Sequence, residues 1–175
     1  MTRYEKVNYI GRESGNGLKR YEKDLLTLRL CDSFFPVSFI EEKNGTKGIF
    51  DCSGYERICR IEELQCMDFL SMISSMVSNM IATEKHCIFG ECLDLRVENC
   101  YVNLKNWDTK FLYIRDSNRI PFREKVLRIM KFLETKVEEK EVFDKAIRIV
   151  EENESNRIIV GHLESLKREF YETKF

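Results

Sequence analysis

Asp94 and Asn99 are the side chains of this chain with the clearest spacing for chemistry. They lie in the segment 93–102, which reads L-D-L-R-V-E-N-C-Y-V. An aspartate that orients a hydroxyl acceptor, followed five residues later by a metal-binding asparagine, is a pattern used in phosphoryl transfer. A second metal-binding aspartate is expected after a short hairpin, but Tyr113 occupies that position. The sequence therefore contains part of the polar set needed for metal-assisted phosphoryl transfer.

The other residues that phosphoryl transfer needs are missing or not singled out. A protein kinase also has a glycine-rich loop over the phosphates and a strand lysine paired with a helix glutamate. The glycines of segment 11–17 are spaced G-x-x-x-G-x-G, which is neither the kinase order nor a Walker loop, so we expect a hairpin loop. Lys47 lies on a predicted strand without an Ala-x-Lys context. Its candidate partners are Glu56, Glu62 and Glu63.

The cysteines favour small reduced thiols over a metal site. There are seven, scattered through apolar segments, which is not the pattern of a disulfide framework. The one cluster with metal-binding residue types comprises His86, Cys87, Cys92 and Cys100. Zinc sites usually combine two closely spaced cysteine pairs, so we expect no metal ion. His162 stands alone, and a Cys–His catalytic pair is not expected either.

The composition is typical of a globular protein with a core. Of the 175 residues, 43% are hydrophobic and 34% are charged, and the net charge is −1. Nucleic-acid binding requires a basic excess, so we expect no nucleic-acid partner. No apolar run reaches the roughly 18 residues of a membrane span, and the first residues lack the apolar core of a signal peptide. We expect a single cytoplasmic domain over 1–175.

The hydrophobic pattern predicts which elements position Asp94 and Asn99. The predicted strands are 4–10, 35–40 and 47–52, with a turn at Asn44-Gly45, and a later hairpin of 100–104 and 109–114. The predicted helices are 67–84, one that opens at Pro121, 142–152 and 161–173. Segment 18–29 fits either a strand or a short helix. A β-rich part over about 1–60 and a helical part over about 61–175 predict an α+β fold.

Two side chains are candidates for contact with a partner. Met72 lies off the apolar stripe of its predicted helix, so we expect it to be exposed. The alternative is that this methionine-rich helix is entirely a core helix. Trp107 lies at the predicted hairpin tip, and exposed aromatic residues are frequent anchors of protein interfaces. The alternative for Trp107 is that it folds back on its own hairpin.

The order of these elements resembles a bacterial pseudokinase-like domain, a domain of unknown function found in Firmicutes. That domain lies N-terminal to forkhead-associated (FHA) domains and is similar in layout to the cytosolic pseudokinase domain of the type VII secretion membrane component. The resemblance covers about 4–167. It rests on the strand–turn–strand 35–52, the Ser53-Gly54-Tyr55 corner, the helix from Met67 and the segment 93–114.

The resemblance implies a reduced protein-kinase-like fold, in which an N-terminal antiparallel sheet is followed by a helical lobe with an inserted β-hairpin. It implies a non-catalytic domain without a cofactor that binds a protein partner, such as an FHA-domain or secretion-system component, in a cytosolic signalling assembly. Asp94 and Asn99 are then a remnant of a nucleotide and metal site. The alternative is a nucleotide-binding or weakly active kinase-like enzyme. The family's FHA domain or transmembrane helix does not occur within these residues, so we expect an excised or stand-alone copy.

Overall fold

The computed structural model describes residues 2–10 and 17–174, so positions 11–16 of the glycine-rich loop predicted at 11–17 lie outside the described residues. Within the described ranges the chain forms six strands and five helices, which confirms the α+β class. The strands are β1 (Tyr4–Ile10), β2 (Val37–Glu42), β3 (Gly45–Asp51), β4 (Glu56–Arg57), β5 (Cys100–Val102) and β6 (Thr109–Phe111). The helices are α1 (Arg20–Thr27), α2 (Cys66–Glu84), α3 (Phe122–Leu133), α4 (Lys140–Glu152) and α5 (Asn156–Lys174).

The first sheet has the antiparallel order β1-β3-β2, so that β3 lies between the other two strands. Tyr4 pairs with Asp51 and Val37 pairs with Phe50, which fixes the register of both edges. The tight turn predicted at Asn44-Gly45 joins β2 to β3, as expected for Asn-Gly between apolar runs. The segment that the sequence left ambiguous forms α1, which packs against β2.

The second sheet has the antiparallel order β4-β5-β6 and includes the predicted later hairpin. Its register pairs Cys100 with Phe111, and β4 adds a third strand at Val102. The first hairpin arm ends at Val102, sooner than predicted, because the turn begins at Asn103, whose carbonyl accepts the Trp107 N–H at 2.7 Å. The second arm ends at Phe111 rather than at Ile114. Since β4 comes from the N-terminal part, this sheet joins the predicted β-rich part to the helical part.

Helix α2 is the central helix, and it contacts α4, α5 and β6. A helix covered from several sides is apolar around most of its circumference. Met72, Ile73 and Met76 are all fully buried. The prediction that Met72 is exposed is therefore wrong, because a second packing partner covers the face that the apolar stripe leaves free.

The remaining helices follow the predicted order with different starts. Pro121 directly precedes the first residue of α3, where its fixed backbone suits a helix start. Helix α5 begins at Asn156, ahead of the start predicted at Gly161. Gly161 lies at an exposed position inside this helix. No helix of the described residues is long and apolar enough to cross a membrane.

Candidate functional site

The Asp94 segment is held against the chain that follows β6. The Asp94 N–H donates to the Ile114 carbonyl at 2.7 Å, and the Asp116 N–H donates to the Cys92 carbonyl at 2.9 Å. Leu93 and Arg115 form an isolated antiparallel bridge between these bonds. Segments 92–94 and 114–116 therefore form a short two-stranded pairing, which we call the joint. The joint places Asp94 next to the chain that follows β6.

A buried lysine fixes this joint from the helical side. Lys125 of α3 is 5% exposed, and its Nζ lies 2.8 Å from Asp116 Oδ2. The same ammonium donates to three backbone oxygens, those of Gly90, Glu91 and Leu93, at 3.1, 3.0 and 2.5 Å. Burial alone would raise the pKa of Asp116, but the hydrogen bonds from Lys125 and the Asn118 N–H, together with the charges of Lys125 and Arg96, outweigh it and lower that pKa. Lys125 therefore holds the loop before Asp94 in place through three backbone carbonyls.

Gly90 lets this loop approach α3 closely. A Cβ at Gly90 would lie 2.8 Å from the Cβ of Phe122 and 2.7 Å from its Cδ2, which is closer than side-chain carbons approach one another. Only glycine fits there without moving the helix or the loop. The close contact sets the position of segment 90–93 and, through it, of Asp94.

Arg96 occupies the carboxylate of Asp94. Its Nε lies 2.9 and 3.0 Å from the two carboxylate oxygens, and its Nη2 lies 2.7 Å from Oδ2. The Arg96 N–H also donates to Asp94 Oδ1 at 3.3 Å, which forms a local turn. The hydrogen bonds between Asp94 and Arg96 would have to break before Asp94 could orient a substrate hydroxyl.

Asn99 is buried, and its backbone and its side chain are satisfied differently. Its backbone N–H donates to the Arg96 carbonyl at 2.8 Å, and its carbonyl accepts the Leu112 N–H at 3.0 Å. The side chain amide is different, because Nδ2 has no hydrogen-bond partner within the described ranges. A buried polar atom without a partner destabilises a fold unless something else binds it. Asn99 is therefore the residue of the predicted remnant site with unused bonding capacity.

Tyr113 takes part in a polar network centred on Glu22 of α1, and we call this set of contacts the Glu22 network. Glu22 Oε1 accepts the Tyr113 hydroxyl at 2.6 Å and an Arg115 N–H at 2.5 Å. Its Oε2 accepts the backbone N–H of Lys19 at 2.6 Å. The Tyr9 hydroxyl of β1 donates to the Tyr113 carbonyl at 2.5 Å. The network links β1, α1 and the chain after β6.

The network sets the charge states of its members. Burial alone would raise the pKa of Glu22, which is 2% exposed, but the hydrogen bonds from Arg115, Tyr113 and Lys19 outweigh it. The pKa of Glu22 therefore lies below its ordinary value, and the carboxylate is ionised at neutral pH. Burial, then the bond to Glu22, raises the pKa of Tyr113, so its phenol stays protonated. The result is an ionised acid with a neutral donor and a cation.

The sequence did not single out Glu22, although a signal was present. Glu22 precedes Leu25 and Leu26 at three- and four-residue steps, so it lies on the apolar face of an amphipathic helix, and both leucines are buried. A glutamate in an apolar stripe needs a partner when buried. The earlier candidates lie elsewhere: Lys47 pairs with Glu42 of the neighbouring strand, and Glu56 pairs with Arg3. Glu62 and Glu63 are exposed and lie outside the helices.

Aromatic rings fill the space where the two sheets meet. Phe35, just before β2, makes edge-on contacts with Tyr55 at 5.2 Å and with Tyr101 of β5 at 5.1 Å between ring centroids. Phe34 makes a similar contact with Tyr113 at 5.2 Å. Phe34, Phe35, Tyr101 and Tyr113 are all buried, so this region is packed with side chains.

The predicted contact residue Trp107 is half-buried rather than fully exposed. It packs against the core, and its indole lies near the carboxylate of Asp68 on α2. Burial raises the pKa of Asp68, and the Trp107 indole lowers it by a smaller amount. The large apolar side chain that projects from the same turn is Leu104, which is 54% exposed. Trp107 therefore folds onto α2, and Leu104 is the more exposed of the two.

The cysteines do not converge. Cys87 is exposed, Cys92 is half-buried and Cys100 is fully buried, and burial raises the pKa of the Cys100 thiol. In the described part of the chain, no group of three or more His, Cys, Asp or Glu side chains is placed to hold a metal ion.

Comparison with known proteins assigns no family to this arrangement. No protein-family model matches the chain, and no curated protein matches it significantly. Inferences about function therefore depend on the geometry of the Asp94–Asn99 segment, the Glu22 network and the exposed surfaces.

Proposed function

We propose that this chain is a non-catalytic, pseudokinase-like domain that binds a protein partner in a cytosolic signalling or secretion-associated assembly. The observation that carries the proposal is the position of Tyr113. Where a kinase would have its second metal-binding aspartate, this chain has a neutral phenol that donates to the buried Glu22. Hard cations such as Mg²⁺ need carboxylate and phosphate oxygens, and a protonated phenol does not replace them.

The glutamate of the Glu22 network is paired differently from the glutamate of a kinase site. In a protein kinase, a glutamate of helix αC pairs with a strand lysine, which in turn binds the nucleotide phosphates. Glu22 lies on the helix that follows β1, yet its cation is Arg115, from the chain after β6. Arg115 therefore connects α1 to the chain after β6. The kinase lysine, in contrast, projects from a strand and binds the nucleotide phosphates.

The state of Asp94 also favours a non-catalytic role. A catalytic aspartate must accept a hydrogen bond from the substrate hydroxyl. Both oxygens of Asp94 are instead bonded to the Arg96 guanidinium. Releasing this pair would cost part of the binding energy of any substrate.

A surface next to the β5–β6 turn supports the protein-binding part of the proposal. Tyr4 and Leu104 are 59% and 54% exposed, and they border a depression of about 550 Å³. A neighbouring depression of about 510 Å³ is lined by Leu104, Ile61 and Trp107. Aromatic and aliphatic side chains at such sites are typical anchors of protein interfaces. A protein partner, such as an FHA-domain or secretion-system component, is the occupant that we propose for this surface.

The test is a thermal-shift titration of the protein with Mg-ATP and Mn-ATP, in parallel with Asn99→Ala. We expect no shift in either protein. A ligand present at a hundred times its dissociation constant would stabilise the fold by about 2.7 kcal/mol, which is a shift of several degrees for a domain of this size. A metal-dependent shift that Asn99→Ala abolishes, followed by ATP turnover, would overturn the proposal.

A second candidate, nucleotide binding without transfer, has one observation in its favour. The Asn99 amide is buried and its Nδ2 has no partner among the described residues. The oxygen and nitrogen of an amide can exchange places by rotation, so the same site could offer an acceptor to a cation. The titration separates the candidates, because binding without turnover would give the shift but no product.

A further inference from the structure

A second site lies away from the Asp94 carboxylate, in a cleft between α1 and the chain that flanks the joint. The cleft has a volume of about 370 Å³, and its walls are the start of α1 and segments 87–92 and 113–119. We call it the α1 cleft. Three members of the Glu22 network line the cleft, namely Glu22, Tyr113 and Arg115.

The α1 cleft carries positive charge that the described residues do not neutralise. Its two acids are engaged, since Glu22 pairs with Arg115 at 2.5 Å and Asp116 pairs with Lys125 at 2.8 Å. The exposed Lys19 and Arg119 side chains also border the cleft, and neither forms an ion pair with a described residue; the Lys19 Nζ lies 5.9 Å from the centroid of the Tyr21 ring. The whole chain has a net charge of −1, so this positive character is local.

Two half-exposed aromatic rings stand beside these cations. Tyr21 is 47% exposed and Phe89 is 49% exposed, and both border the α1 cleft. Tyrosine and arginine are enriched among the energetic anchors of protein interfaces, and phenylalanine is enriched at interfaces generally. The cleft therefore combines an apolar contact with two cations that no described acid pairs.

The walls of the cleft are fixed before any partner binds. Lys125 pins segment 90–93, and the Glu22 network pins Tyr113 and Arg115. Cys87 and Arg119, which both line the cleft, have left-handed backbones with φ of 57° and 49°, a costly conformation for residues other than glycine. A preorganised surface loses less entropy when it binds.

We propose that the α1 cleft docks an acidic segment of a partner protein. The segment places an apolar side chain between Tyr21 and Phe89 and presents carboxylates to Lys19 and Arg119. This inference rests on the proposed protein-binding function and names the chemistry of the partner. Charge complementarity selects an acidic segment over a basic or neutral one.

The test is fluorescence anisotropy with a short fluorescein-labelled peptide in which Glu and Asp residues flank a central Leu-Phe pair. We expect saturable binding to the full chain that weakens as salt is added, because exposed charges are screened. Lys19→Glu combined with Arg119→Glu should weaken binding by about tenfold or more, and Phe89→Ser by about fivefold. Arg148→Glu is the matched control, since Arg148 is an exposed arginine on α4, and it should leave binding unchanged.

Thermal unfolding of each variant establishes that the fold is intact, and Phe89→Ser tests the cleft without altering charge. Three results would overturn the docking inference: no binding of the acidic peptide, equal weakening by Arg148→Glu, or equal binding of a peptide with Lys in place of its acids. Displacement of the peptide by inorganic pyrophosphate, with no effect of Phe89→Ser, would also overturn it, in favour of a phosphate site. The first three results do not concern ATP, and the Mg-ATP titration decides the proposed function separately. A phosphate site in the α1 cleft would give an ATP-dependent shift that survives Asn99→Ala, so failure of the docking inference is distinguishable from failure of the proposed function.

Discussion

Glu22 and Asn99 are both buried polar residues close to the chain that follows β6, and their side chains are satisfied very differently. Glu22 accepts hydrogen bonds on both carboxylate oxygens from a phenol, a guanidinium and a backbone N–H. Asn99 has a side-chain nitrogen without any partner in the described ranges. One residue is thus a structural centre that joins distant parts of the chain, and the other is a polar group with unused capacity.

Polar interactions stabilise this fold more at Glu22 than at Asp94 and Asn99. A buried charge is tolerated only when it is paired and hydrogen-bonded, which Glu22 is. The predicted remnant residues contribute less, since Asp94 bonds a neighbour two residues away and Asn99 leaves a donor unpaired. We expect mutations in the Glu22 network and in its counterpart around Lys125 to affect stability, and mutations of Asn99 to affect it little.

The largest expected effect comes from Lys125→Met. The change leaves the Asp116 carboxylate without its cation and removes the Lys125 ammonium from three backbone oxygens, so we expect a loss of about 4 kcal/mol in the free energy of unfolding. Urea unfolding measures it. Arg128→Met, at an exposed ion pair of the same helix, should cost no more than about 0.5 kcal/mol. Equal losses in the two variants would contradict the role given to Lys125.

Glu22→Gln should be nearly as damaging. It keeps the shape of the side chain but removes the charge that balances Arg115, so we expect a loss of about 3 kcal/mol by the same measurement. The matched control is Glu124→Gln, which removes one carboxylate of an exposed pair. If Glu22→Gln were as mild as this control, the contrast between Glu22 and Asn99 would disappear.

The difference between wild type and Glu22→Gln should depend on pH in a defined direction. The pKa of Glu22 is lowered in the folded protein, so its contribution is complete above its ordinary value of 4.5 and is lost as the pH falls through the folded pKa. Urea unfolding at several pH values should show the wild-type advantage at neutral pH and its decline in acid. An advantage that grew in acid would mean that burial outweighs the hydrogen bonds.

Asn99→Leu should have the smallest effect. Its backbone bonds do not depend on the side chain, and a leucine of similar size removes the unpaired nitrogen. We expect a change within about 1 kcal/mol of wild type, in either direction. A loss above about 2 kcal/mol in the free energy of unfolding would show that a bound water or ion satisfies the amide. Asn99 would then be a fully hydrogen-bonded buried residue, as Glu22 is.

The sequence predicted most elements because their signals are local. The β1 strand, the Asn44-Gly45 turn, α2 and the start of α3 after Pro121 all depend on patterns within a few residues. Helix α1 was ambiguous because its eight residues are too few to be stable without tertiary contacts. The exposure of Met72 was misjudged because α2 is covered from more than one side, which a single periodic stripe does not reveal.

The candidate site was harder to predict than the fold. The identity and spacing of Asp94 and Asn99 were visible in the sequence, but the bond from Arg96 and the unpaired amide depend on three-dimensional contacts. The partners of Glu22 are 91 and 93 residues away, at Tyr113 and Arg115, and nothing local indicates them. Long-range polar pairing is the part of this molecule that patterns of hydrophobicity do not encode.

The bond between Tyr9 and the Tyr113 carbonyl has a consequence for how the chain acquires its structure during synthesis. It spans 104 residues and, together with the contacts of Glu22, closes the N-terminal sheet and helix α1 against chain made much later. Until that chain emerges from the ribosome, the Glu22 carboxylate has no Arg115 and favours solvent over the core. We therefore expect the nascent β1–β3 region to remain incompletely folded until the second sheet is synthesised, and a fragment cut near residue 60 to be a substrate for proteases rather than a stable domain.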